Sequence, residues 1–126
     1  MPSHLVFVYG SLKRGQSNHR PLATAEFVSQ ARTVERAFRL VDLGPYPAMI
    51  RSEEESQSIV GELFRVDDDT LAAVDRLESN GSLYLREELS VAELNAPDRL
   101  HTAWGYLYLR PIGYKKLWPT GEWSRS

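Results

Sequence analysis

The 126-residue chain contains no cysteine. That removes disulfides, zinc–thiolate centres and a cysteine nucleophile together, and it fits a reducing compartment. No uncharged apolar run approaches the roughly 18 residues that a membrane-spanning helix needs. Basic excess is missing as well: 15 Lys and Arg stand against 17 Asp and Glu, a formal charge of −2. Nothing in that balance favours nucleic acid, and no basic amphipathic segment points to a membrane surface. MPSHLVFVYG at the start has no basic n-region, so it is not expected to be a signal peptide, and a cytoplasmic location is expected. Internal repeats and low-complexity segments are also lacking. What is present is ordinary core material: 42% hydrophobic residues, with three Trp, six Tyr and four Phe. A chain of this length and composition is expected to form one domain, residues 1–126.

Residues 5–9 (LVFVY) are β-branched and aromatic throughout and read as a strand buried on both faces, ended by Gly10. Residues 18–30 (NHRPLATAEFVSQ) admit a short helix starting near Pro21. Residues 33–43 alternate loosely and read as a strand. In GPYPAMI, Pro45 and Pro47 exclude a helix and confine any strand to an edge. A polar loop at 52–58 leads into a strand over 59–66. Residues 67–78 (DDDTLAAVDRLE) predict a helix: aspartates supply the N-cap and first-turn charge, and Leu71, Val74 and Leu77 recur at helical spacing. Asn80 and Gly81 stop it, since both tolerate the left-handed conformation. Residues 84–94 and 101–110 read as a hairpin turning at 95–98. In its second strand Trp104, Tyr106 and Tyr108 share one face, and Ala103, Gly105, Leu107 and Leu109 the other. The tail GYKKLWPTGEW is expected to pack across the outside of the sheet. This order predicts an α+β fold whose sheet is mainly antiparallel and barrel-like, with one or two short helices.

Glu78 breaks a local rule. A carboxylate at a helix C-terminus is disfavoured by roughly 0.3–1 kcal/mol, where Lys or Arg would be natural. The same field raises its pKa, as a general base near neutral pH requires. Two readings stand: a functional carboxylate, or an exposed glutamate at a frayed helix end. The loop YGSLKRG also has two: a nest of backbone donors for an anion, or a tight turn. No Gly-Lys-Ser/Thr follows Gly10, so it is not a phosphate loop. Ser11 and His19 lack the G-x-S-x-G elbow of a hydrolytic serine. His4, His19 and His101 show no metal-ligand spacing. Tyr106 and Tyr108 on an aromatic face would need polar partners inside a barrel.

Four segments, FVYGSLKRGQSNH (7–19), GPYPAMI (44–50), VGELFRVD (60–67) and LAAVDRLESNGSLYLRE (71–87), together resemble the γ-glutamylcyclotransferase-like family. YGSLKRGQSNH is most similar to its γ-glutamylamine cyclotransferase branch and related small bacterial members. The resemblance runs in order over roughly residues 5–109. It implies a small mixed α/β barrel with a cavity at the loop after the first strand. By position, Tyr9, Gly10, Ser11 and Leu12 would hold the substrate's α-carboxylate end, and Glu78 would be the general acid/base. Tyr84 and Tyr106 would line the cavity, with Tyr108 the alternative to Tyr106. The resemblance further implies a small-molecule γ-glutamyl substrate, release of 5-oxoproline and a free amine or amino acid, and no cofactor or metal. A non-catalytic binding module on the same fold and a γ-glutamyl amide hydrolase remain the alternative functions.

Overall fold

The computed structural model describes residues 3–54, 56–113 and 116–123. The first strand, β1 (His4–Val8), is apolar on both sides because both sides are covered. Phe7 packs into one cluster of buried side chains, while Val6 and Val8 pack into another. Strands β2 (Glu26–Thr33), β5 (Val60–Val66), β6 (Tyr84–Glu93) and β7 (Ala96–Tyr108) join β1 in the order β1-β5-β2-β6-β7, and β7 returns to β1 through a parallel Val6–Trp104 bridge. The result is a closed five-stranded barrel, antiparallel except at its closure. Phe7, Leu63, Ala31, Leu89, Val91, Ala103 and Leu107 come from all five strands and fill its interior. A hairpin of β3 (Phe38–Asp42) and β4 (Pro47–Arg51) extends the sheet beyond β7 through a parallel Met49–Leu107 bridge.

Helix α1 (Asp68–Leu77) covers the outside of the barrel, where Leu71 and Val74 join Val6, Val8, Phe64 and Tyr106. Asp67 caps it, its carboxylate accepting the Thr70 N–H at 2.8 Å, and Asp68 and Asp69 complement the dipole in the first turn. Among the described residues no helix is long and apolar enough to cross a membrane. The α+β class and the mainly antiparallel mixed barrel are as the sequence predicts.

Several local expectations are corrected. Pro21 lies in only a 3-10 turn, Arg20–Leu22, and β2 occupies the rest of the segment where a helix was admissible. Pairing with β5, through a bulge between Phe27 and Ser29, overrides the weak local helix signal there. The expected strand over 33–43 divides: Thr33 ends β2, its hydroxyl bonded to Glu35 O and Ile59 N, and β3 starts only at Phe38. Pro47 does not confine β4 to an edge. It is the strand's first residue, so its missing N–H costs little in the ladder, and β3 is the outer strand. At the helix end the left-handed residues are Ser79 (φ 50°) and Gly81 (φ 97°), while the Asn80 side chain instead accepts the Arg86 N–H. The β6–β7 turn is tighter than expected, with Ala96 and Pro97 already in β7. The tail does not simply lie outside: Trp123 is buried within the barrel-interior cluster, with Trp118 packed against it. Its Tyr114 and Lys115 lie outside the described residues.

Candidate active site

The end of β1 delivers the chain to a loop that faces the C-terminal end of α1, and between them lies a cavity of about 180 Å³. Its walls contain Tyr9, Gly10, Ser11 and Leu12 on one side and Glu78 on the other. Tyr84 from the start of β6 and Tyr106 from β7 complete them. Every site residue expected from the sequence therefore borders one cavity.

The loop is held in shape from within. Lys13 N donates to Gly10 O at 3.0 Å, and Asn18 N to Ser11 O at 2.8 Å. Asn18 Nδ2 donates to Ser11 Oγ at 2.9 Å, and His19 Nδ1 lies 2.8 Å from Leu12 O. Ser11 and His19 thus serve separate loop contacts, and no nucleophile–base pair forms between them. Among the described residues, none accepts a hydrogen bond from the backbone N–H of Gly10, Ser11 or Leu12. A glycine is required at the first of these positions because a Cβ there would stand 2.6 Å from Cγ and Cδ of Pro47.

Lys13 and Arg14, the prominent charges of the loop, do not line the cavity. Lys13 Nζ donates to Trp123 O at 2.5 Å, and burial lowers its pKa. Arg14 is drawn to Glu62 of β5: its N–H and Nε reach the carboxylate at 2.8 and 3.2 Å, and its guanidinium stacks 3.5 Å above the Phe27 ring.

Glu78 is the C-cap of α1, its own N–H bonded to Val74 O at 2.9 Å. The open reading of an exposed, frayed glutamate is excluded, because the side chain is half-buried at the cavity wall. Burial pushes its carboxyl pKa up to about 7, since loss of water penalises the charged form. No described residue donates a hydrogen bond to it. The phenols of Tyr9, Tyr84 and Tyr106 are all raised, first by burial and then in part by the nearby Glu78 charge. Each hydroxyl already has an acceptor: Tyr106 O for Tyr9 at 2.9 Å, Pro47 O for Tyr84 at 3.2 Å, and Asp75 Oδ1 for Tyr106 at 2.6 Å. Tyr106, not Tyr108, borders the cavity; Tyr108 packs edge-on against Tyr84, 5.3 Å between centroids.

Sequence reasoning missed Asn18, Tyr46, Pro47, Leu77 and Leu83 as lining residues. The runs SNH and GPYP contain the first three; both lie in segments that carry the resemblance, which gave these residues no role. Among the described residues no group of three or more His, Cys, Asp or Glu could hold a metal ion.

The family model described as "Gamma-glutamyl cyclotransferase, AIG2-like" matches residues 6–125. A putative γ-glutamylcyclotransferase of Vibrio cholerae is 37% identical over 122 residues, covering 97% of this chain and 96% of that one. The γ-L-glutamyl-butirosin B γ-glutamyl cyclotransferase of Niallia circulans is 33% identical over 112 residues, 83% of this chain and 67% of that one. Among solved structures, an AIG2-like protein from Mus musculus superposes with a TM-score of 0.85 at 28% identity, covering 98% of this chain and 90% of that one. With the family model spanning nearly its whole length, the chain belongs to the γ-glutamyl cyclotransferase, AIG2-like family.

Proposed function

We propose that the protein catalyses intramolecular cyclisation of a γ-glutamyl amide, with Glu78 as general acid/base. The observation that carries this reading is the pairing across one cavity of a carboxyl pushed up to about 7 with a loop whose three amides have no acceptor among the described residues. The amides of Gly10, Ser11 and Leu12 suit the substrate's α-carboxylate, which would bind as an anion in a nest of N–H donors.

The substrate brings its own nucleophile. Glu78 takes a proton from the α-ammonium, and the freed amine attacks the γ-carbonyl carbon to close a five-membered ring. The amide C–N bond then breaks as Glu78 returns that proton to the departing nitrogen, and the regenerated carboxylate takes the second proton from the ring nitrogen, which leaves with the released amine as its ammonium. The products are 5-oxoproline and a free amine or amino acid. Well-oriented intramolecular attack has effective molarities of about 10⁵–10⁸ M, so the protein has mainly to fold the substrate and carry protons from the attacking to the departing nitrogen. A carboxyl poised near neutrality can do both halves of that transfer. Tyr84 and Tyr106, whose hydroxyl protons already point at protein acceptors, act as walls that hold the substrate bent.

The test is a panel of γ-glutamyl-ε-lysine and γ-glutamyl amino acids with mass spectrometry of the products. Release of 5-oxoproline, lost in Glu78→Gln while ligand binding survives, is the expected result. Glutamate as the product would make the protein a hydrolase. Unchanged 5-oxoproline release by Glu78→Gln would remove the proposed role of that residue. Binding without turnover in the unmutated protein would favour the non-catalytic alternative.

A further inference from the structure

Asp75 lies three residues before Glu78 on α1 and faces the barrel rather than the cavity. Both of its carboxylate oxygens are used. Oδ1 accepts the Tyr106 hydroxyl at 2.6 Å, and Oδ2 pairs with Arg86 Nη1 at 2.9 Å. These two partners are themselves opposite each other across β6 and β7. Arg86 is further fixed by its guanidinium lying 4.6 Å over the Trp104 ring, and by its N–H, which donates to Asn80 Oδ1 at 2.8 Å. Asn80 N in turn donates to the Asp75 backbone oxygen at 2.9 Å. The chain on either side of Glu78 is thus tied to one cross-strand pair of the barrel. The same Tyr106 accepts the Tyr9 hydroxyl on its backbone oxygen, so its two ends connect the helix with the loop on the other side of the cavity.

We infer that Asp75 is a positioning residue of the site: by holding Tyr106 and Arg86, it fixes the last turn of α1 against the barrel wall and sets where the Glu78 carboxylate stands. This rests on the proposed acid/base role of Glu78. Residues 79–82 contain two left-handed backbone positions, Ser79 and Gly81, so the segment after Glu78 is a tight turn and not a continuing helix. Within that turn Gly81 N donates to Tyr84 O at 2.7 Å and Asn80 Oδ1 accepts the Arg86 N–H, both ties to β6; the Asp75 carboxylate adds the tie to β7 through the Tyr106 hydroxyl. A misplacement of about 1 Å at a reacting group is worth on the order of 100-fold in rate, which makes such a brace matter for turnover more than for affinity.

Two variants test it. Tyr106→Phe keeps the ring and removes only the donor to Asp75; Asp75→Ala removes both contacts. With the best γ-glutamyl substrate of the panel, each is expected to lower kcat by about 10- to 100-fold with KM changed by less than about threefold. The double variant is expected to lose little more than Asp75→Ala alone, because the two residues act as one unit. A loss confined to KM, an unchanged kcat in Tyr106→Phe, or fully additive losses would overturn the inference. Asp75→Ala risks unfolding, in which case Tyr106→Phe decides alone. A second readout needs no turnover: titration of the Glu78 carboxyl carbon by ¹³C NMR, assigned by difference from Glu78→Gln. The groups facing that carboxyl are Tyr9 after β1, Tyr84 on β6 and Tyr106 on β7. Replacing a phenol by a phenyl ring in a fixed site would leave its midpoint unchanged or raise it. A loosened turn lets water reach Glu78, so the midpoint is expected to fall in Tyr106→Phe. An unmoved or raised midpoint would overturn the positioning role even if no substrate were turned over, and a lowered midpoint would sustain it. If Glu78→Gln kept full activity while the midpoint fell, the brace would stand and the acid/base reading would fail.

Discussion

The Tyr9 hydroxyl donates to the backbone oxygen of Tyr106 at 2.9 Å and joins the start of the loop to the last strand of the barrel. The Tyr9 hydroxyl oxygen in turn accepts the Met49 N–H at 3.0 Å, so one buried phenol links β1, β4 and β7. Tyr9→Phe fills the same space and strands a buried amide and a buried carbonyl. That should cost about 1–3 kcal/mol of stability. The urea midpoint of unfolding measures it, and an unchanged midpoint would mean that these groups find other partners. Because the phenol proton already points at Tyr106, activity measured well below the melting temperature should fall far less than in Glu78→Gln.

Gly10 meets the first residue of β4. A methyl group there would stand 2.6 Å from two ring carbons of Pro47, so either the loop or β4 must shift. Pro47 borders the cavity, and its carbonyl holds the Tyr84 hydroxyl, which leaves little room for an easy adjustment. Gly10→Ala should fold and yet lose about 10- to 100-fold in kcat/KM, as expected for displaced binding groups. Wild-type kinetics in that variant would show that the loop amides need not occupy their observed positions.

Glu62 is a buried carboxylate on β5 that grips the loop from below through the N–H and Nε of Arg14. Removing it leaves the Arg14 N–H without its acceptor and frees the guanidinium; a hydrogen bond to a charged group is worth about 1.5–3 kcal/mol. Glu62→Ala is expected to raise KM about tenfold, a change of roughly 1.4 kcal/mol, with a smaller effect on kcat. Glu62→Gln keeps an oxygen for the Arg14 N–H and should recover most of that loss. Equal KM values in both variants and the wild type would show that the loop is fixed by its internal contacts alone.

The parts of this fold legible in the sequence were those with a strong local cause. Helix α1 has an aspartate cap and an apolar stripe, and β1 is an unbroken apolar run, so each was placed to within a residue or two. The divided faces of β7 followed from strict alternation, and the two buried clusters of the structure separate along them. The segment now seen as β2 was not legible, because its strand state comes from pairing with β5 and β6 and not from its own residues. Barrel closure through Val6 and Trp104 and the inward course of Trp123 are long-range outcomes of the same kind. At the site, Glu78 stood out by violating the helix-dipole rule, although burial is the cause that raises its pKa. Asp75 gave no such signal: on a helix surface an aspartate is ordinary, and only the folded positions of Tyr106 and Arg86 show what it holds.

The Glu78 carboxyl also makes a prediction about stability. Its pKa in the folded protein is about 7, against 4.5 for an ordinary glutamate, so between those values the folded state binds more protons than the unfolded one. Stability must then fall as pH rises through this window. Full deprotonation costs the fold on the order of 3 kcal/mol, because each tenfold difference in proton affinity is worth 1.36 kcal/mol. A glutamine is neutral at every pH and escapes that cost. Glu78→Gln should therefore match the wild type in stability near pH 4 and exceed it by up to about 3 kcal/mol at pH 8, a melting temperature higher by roughly 10 °C for a chain of this size. In the wild type, kcat/KM should rise with pH along a limb centred near 7, as the base becomes available. Melting curves of the two proteins at pH 4, 6 and 8 test the first expectation, and a pH–rate profile tests the second. A stability gap that does not widen with pH, or an acid limb near 4.5, would mean that the carboxyl is hydrated in solution and is not poised for proton transfer at neutrality. A gap and a limb that move together would instead tie the same burial to both the instability and the chemistry, the expected pattern when a site keeps a group its fold would rather lose.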